Sequence, residues 1–201
     1  MPVKISQPKQ LLVEGVDDKL FFLWFLKHLG IDNIQIHDYK GTPKLTAFLE
    51  MLVDASGFRN DVQVLGIVRD ADDNPHGAFQ SVQGSLTQVG LAVPDAPEVL
   101  ETGTPNTAVL ILPQSDSTGS IETLCLNSVR TRDEIQCVDE LMDCVEQVTK
   151  QQVSHPAKAR ITAYIAVQDG SPRLLGEAAQ AGYWPWDEDS FAHVSNFLNI
   201  L

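Results

Sequence analysis

Strand-length apolar runs alternate with helix-length amphipathic ones over the first 130 residues, and helical patterning takes over after that. Residues 10–13 form a compact apolar run that reads as a buried strand. Glu14-Gly15-Val16 then turns the chain, and Asp17-Asp18 suit a helix start. That helix is expected over 17–29, with Gly30 as its stop. Residues 33–37 alternate as a second strand would. A helix beginning near Pro43 is expected to end before Gly57. Residues 62–68 are apolar and β-branched, the strongest strand signal in the chain. A helix over 75–88, a Pro- and Gly-rich loop over 91–105 carrying a short strand, and a strand over 107–112 follow. A polar loop after Pro113 opens a helix at Ile121. Helices are expected over 132–150, 156–167, 174–181 and 188–201.

Strands separated by helices call for right-handed crossovers and a parallel sheet. The expected class is α/β: a three-layer, Rossmann-like fold with a mainly parallel central sheet and a helical C-terminal part. At 201 residues the chain suits one domain, with 1–130 as the α/β core and 131–201 as a helical extension packed on it. Open sheets of this kind bind ligands beyond the carboxyl ends of their strands. Candidate chemistry is therefore sought there.

Composition narrows the options. Hydrophobic residues make up 43% and charged residues 20%, a globular balance. The net charge of −13 excludes a broad basic surface that holds nucleic acid by charge alone. Cys125, Cys137 and Cys144 have neither metal-site nor disulfide spacing, and are expected to be thiols in a reducing cytoplasm. The greasiest run, 20–26, is too short for a membrane span, so no membrane role is expected.

Three acidic stations fall at strand ends. Glu14 stands where the first strand ends, with Asp18 one helical turn on. Asp70-Ala71-Asp72 follows the strongest strand. In an extended segment two such carboxylates share a side and suit one Mg²⁺ with water and phosphate oxygens. Gly119-Ser120-Ile121-Glu122 opens a helix, where free N–H groups suit an anion. Each station alone is also what a solvated turn or a helix cap looks like. Arg69 and Lys40 lie near strand ends and are candidate phosphate contacts. The five histidines lack ligand spacing, although His76 lies nearest the acidic turn. The segment Tyr183-Trp184-Pro185-Trp186 suits either base stacking or packing of a terminal helix. Phe191, Val194, Phe197, Leu198 and Leu201 keep helical spacing, as core or as a dimer seam.

Glu14 after the first strand and Asp70-x-Asp72 after a later parallel strand resemble the Toprim domain of topoisomerases, primases and related nucleases. The resemblance implies that Glu14 assists proton transfer or joins metal binding, and that Asp70 and Asp72 hold Mg²⁺. It tightens toward Toprim nucleases of the OLD type. These carry a second acid four residues after the first, a Ser/Glu-bearing loop and a later lysine. Asp18, Ser120 with Glu122, and Lys158 (or Lys150) fill those places. Asp18 is an aspartate where those nucleases commonly have glutamate, which shortens its reach. Lys158-Ala-Arg through Gly182-Tyr183-Trp184 looks like an uncharacterised bacterial family of stand-alone Toprim-like proteins, so the resemblance covers nearly the whole chain.

Magnesium-dependent phosphodiester hydrolysis is the expected function, with one or two Mg²⁺ or Mn²⁺ ions. Asp70 and Asp72 would hold the first ion. Glu14, with Asp18 or Glu122, would hold a second or act as base. Lys158 would offset transition-state charge, and Lys40, Arg69 and Ser120 would meet the substrate. The acidic balance points to short or structured nucleic acid, or to a protein partner that grips it; a homodimer is one option. A catalytically degenerate Toprim-like module is the alternative. A haloacid-dehalogenase-type phosphatase also uses Asp-x-Asp, but on its first strand and with no role for Glu14. A receiver domain fits less well, because no lysine follows the strand over 107–112 directly.

Overall fold

The computed structural model describes residues 3–170 and 172–201. Four strands, β1 (Lys9–Val13), β2 (Ile34–Asp38), β3 (Val64–Asp70) and β4 (Asn106–Leu112), form one sheet. Their order is β2-β1-β3-β4, and every neighbouring pair is parallel. Helix α1 (Val16–Leu29) links β1 to β2. Helix α2 (Leu45–Val53) and the single turn α3 (Phe58–Asp61) lead to β3, and α4 (Pro75–Gln88) leads to β4. Five helices follow: α5 (Ile121–Val129), α6 (Asp133–Thr149), α7 (Pro156–Ala166), α8 (Leu175–Gln180) and α9 (Ala192–Ile200). The expected α/β fold, three-layered and Rossmann-like, is the observed one.

Period-two alternation along the strands builds the layers. Leu11, Val13, Val64, Val68, Leu110 and Leu112 face α1, α5 and the C-terminal helices. Leu12, Leu65, Ile67, Val109 and Ile111 face α2 and α4. The β1-to-β2 connection crosses the first face in one direction. The β2-to-β3 and β3-to-β4 connections cross the second face in the other direction, as a single crossover hand requires.

The aromatic side of α1 anchors the C-terminal helices. Phe21, Phe22 and Phe25 are fully buried, and Trp186 stacks on Phe25 at 4.7 Å between ring centroids. Trp184 is buried and donates its indole N–H to the Leu175 carbonyl at 3.1 Å. This aromatic cluster packs the C-terminal helices. The last helix is core as well. Val194, Phe197 and Leu198 are buried in its own chain, which leaves no dimer seam on that face. Leu201 lies over β3, where a Cβ on Gly66 would stand 2.7 Å from its Cδ1. A side chain at that position would displace the ends of Leu201 and Leu11.

Three local expectations change. The central strand begins and ends two residues later than the apolar run predicts, because its pairing with β4 continues to Asp70 opposite Leu112. Val62 instead ends the unanticipated turn α3. The strand expected within 91–105 is reduced to one bridge, Glu101 with Thr107. Among the described residues, no helix is long and apolar enough to cross a membrane.

Candidate functional site

β1 connects outward to β2, whereas β3 connects the other way to β4. The crevice between the carboxyl ends of β1 and β3 is therefore the point where strand order reverses, the preferred ligand position of open α/β sheets. Glu14 follows β1 directly and Asp70 closes β3.

Asp70 points to the α1 and α5 side of the sheet. Its Oδ1 accepts the Ile121 N–H at 3.0 Å, which ties the end of β3 to the start of α5. Burial pushes the Asp70 carboxyl well above the usual carboxylate range. The charges of Asp18, Glu122 and Glu14 push it further, against the Ile121 hydrogen bond. Asp18 is pushed up to about 6, first by burial, with Asp17, Glu122 and Glu14 adding to it. The Gly15 N–H, donated to Asp18 Oδ2 at 2.8 Å, opposes that shift. Carboxylates from the starts of α1 and α5 and from the ends of β1 and β3 thus converge electrostatically on Asp70.

A cleft of about 710 Å³ opens beside Asp70. Asp72, Ser120, Glu122, His155 and Lys158 share its walls. Ser120 Oγ donates to Glu122 Oε2 at 2.6 Å and fixes that carboxylate in the first turn of α5. Lys158, in the first turn of α7, faces the cleft, whereas Lys150 ends α6 and is not among the lining residues. Glu14 and Asp18 are not cleft-wall residues either.

The Asp-x-Asp segment differs from the extended geometry predicted for it. Asp70 belongs to the strand, but Asp72 has a left-handed backbone with φ 49°. Strict alternation therefore stops between them. Asp72 exchanges two backbone hydrogen bonds with Gly119, at 2.8 and 2.7 Å, so the loops after β3 and β4 are zipped together. Gly119 has φ 127°, and a Cβ there would come within 2.6 Å of Thr123 Oγ1. Only glycine fits that position.

Arg69 precedes Asp70 and so points to the opposite face. It is 8% exposed. Its guanidinium donates to Glu14 Oε2 at 2.7 Å and to Asp72 Oδ2 at 3.3 Å. Thr42 Oγ1 donates to Glu14 Oε1 at 3.0 Å. Arg69 is thus bound to two of the acids rather than free on the surface. Lys40 lies outside the acidic cleft, in a separate cavity beside β2. Its φ of 61° belongs to the loop that delivers the Gly41 N–H to the Glu14 carbonyl at 3.1 Å.

A family model described as a protein of unknown function, DUF3226, matches residues 8–201. The chain belongs to that family. No curated protein and no solved structure matches it. The matched span of this DUF3226 chain holds every candidate residue named above.

Two roles escaped the sequence reading. His155 forms part of the cleft wall beside Pro156 and Lys158; its place before a proline-opened helix, three residues from Lys158, was the available signal. Asp17 is structural. Its carboxylate accepts the Leu175 and Gly176 N–H groups at 3.0 and 2.7 Å, docking α8 on α1. That partner lies 158 residues away, beyond any local pattern. His76, at the start of α4, is exposed and does not line the cleft.

Proposed function

We propose that this chain is a divalent-cation-dependent phosphodiesterase acting on nucleic acid, of the Toprim nuclease type. The observation that carries the reading is Asp70, a buried carboxyl at the switch point. Asp18, Glu122 and Glu14 raise its proton affinity by charge, and no cationic side chain is hydrogen-bonded to it among the described residues. Crowded carboxylates without a counter-charge suit a hard cation, and oxygen donors select Mg²⁺ or Mn²⁺. Among the described residues no three acidic, histidine or cysteine groups are already arranged as a metal shell. Mg²⁺ commonly takes only one or two carboxylates and completes its shell with water and phosphate oxygens.

Asp70 and Glu122, with Asp18 or Asp72, would hold the ion. When bound it would polarise the scissile phosphate. Lys158, also in the cleft wall, would offset charge on the departing oxygen. Glu14, held by Arg69 on the other face and outside the cleft wall, would act on Asp70 through its charge.

Arg69 also favours a second reading. An arginine already paired with Glu14 and Asp72 suits a degenerate site that works through a protein partner. Calorimetric titration with Mg²⁺ and Mn²⁺, followed by cleavage assays on single-stranded, duplex and structured nucleic acids, separates the two. Wild type should bind metal and cleave, and Asp70→Asn should lose both while keeping an acceptor for Ile121. Metal binding without cleavage of any substrate would leave the partner-binding module. An acyl-phosphate trapped on Asp70 would instead indicate phosphatase chemistry.

A further inference from the structure

A second cavity, about 860 Å³, lies at the free edge of the sheet beside β2. That is within the usual size range for small-molecule sites. Four of the chain's eight lysines, Lys4, Lys19, Lys40 and Lys44, line it. They come from the N-terminal segment, α1 and the loop after β2. None of them is in an ion pair among the described residues. In a chain of net charge −13, this is a concentrated cationic site, with four lysines against the one carboxylate of Asp38 in its lining.

The rest of the lining is not what a simple anion requires. Phe48 gives an aromatic wall, with the His37 ring 5.9 Å from it. His37 pairs with Gln10 Oε1 at 2.7 Å, and burial, then Lys19, pushes its pKa down to about 4. The imidazole is therefore a neutral, flat wall at pH 7. Asp38 also lines the cavity and sets one carboxylate against the four lysines. Cations and a flat apolar surface together match a ligand with phosphate and a ring.

We propose that this cavity binds a nucleotide unit, with phosphate on Lys19, Lys40 and Lys44 and the base against Phe48. The proposal deepens the function above and rests on it for the choice of nucleic acid. The loop carrying Lys40 and Lys44 also carries Gly41 and Thr42, which bond Glu14. A nucleotide held here therefore neighbours the acidic centre. It also gives an acidic protein a grip on nucleic acid without a broad basic surface.

The test is fluorescence anisotropy with a labelled oligothymidylate in EDTA, so that no metal and no cleavage are involved. Wild type should bind. Lys19→Ala/Lys44→Ala should weaken binding at least about tenfold and flatten the log–log salt slope by about 1.4, two fewer phosphate contacts on a single strand. Lys27→Ala, outside the cavity, should bind as wild type does. Competition by AMP assigns the site to a single nucleotide, whereas lysine-dependent binding that AMP does not displace assigns it to a strand; either outcome supports the proposal. Absence of binding by wild type, or equal binding by the double variant, overturns it. Asp70→Asn separates the two claims. Cleavage that depends on Asp70, with strand binding indifferent to Lys19 and Lys44, leaves the enzyme and removes this cavity. Lysine-dependent binding without cleavage under any metal leaves the cavity and removes the enzyme.

Discussion

Arg69 and Asp70 are neighbours on one strand and face opposite sides of the sheet. On the Arg69 side, Glu14 and Asp72 share a nearly buried guanidinium. On the Asp70 side, Asp18, Asp70 and Glu122 face each other's charge with no such partner among the described residues. One class of residue is thus held in two electrostatic states a few ångströms apart. The first group sets one guanidinium against two carboxylates, so half of its negative charge is met within the fold. The second keeps an unmet demand for positive charge, which is what a cation site needs before its ion arrives.

The comparison is open to direct attack. The largest effect is expected from Arg69→Met, which leaves Glu14 and Asp72 without their counter-charge. Chemical denaturation should show a loss of about 3 kcal/mol; a loss below about 1 kcal/mol would mean the two sides do not differ as described. Next comes pH. The raised pKa of Asp18, about 6, means that the folded state binds its proton more tightly than the unfolded state does. Its contribution is therefore fully present below about pH 4 and is lost as pH rises through about 6, on the order of 3 kcal/mol. Denaturation of wild type in EDTA should show that fall, and Asp18→Asn should flatten it. A third expectation concerns Asp70→Asn. Mg²⁺ affinity should drop at least about tenfold, some 1.4 kcal/mol, with no loss of metal-free stability at pH 7. The smallest effect is on Asp17, next to Asp18 but turned to α8. Asp17→Ala should cost about 1 kcal/mol and leave Mg²⁺ affinity unchanged. A matching loss of affinity would erase the distinction between structural and site carboxylates.

How much of this was legible differs from element to element. The helix over 75–88 was readable because Asn74 and Pro75 mark its start, and Asn74 does accept the Gly77 N–H at 2.9 Å. The end of β3 was not, because charged Arg69 and Asp70 look like a turn until β4 pairs with them. Glu14, Asp70, Ser120, Glu122 and Lys158 were legible as strand-end and helix-start residues, and four of the five line one cleft. Glu14 stands apart, held by Arg69 on the other face. The lysine cavity could not be read at all. Lys4, Lys19, Lys40 and Lys44 look like scattered surface charges in sequence, and only the β2 edge gathers them.

The sequence by itself determined the order of strands and helices, the parallel sheet and which loops carry the acids, because periodicity and turn chemistry are local. Tertiary structure alone decided the partners. Whether a carboxylate meets a guanidinium, a helix N–H or another carboxylate depends on which strand lies beside it and which face it takes, and those are long-range choices that no window of residues contains.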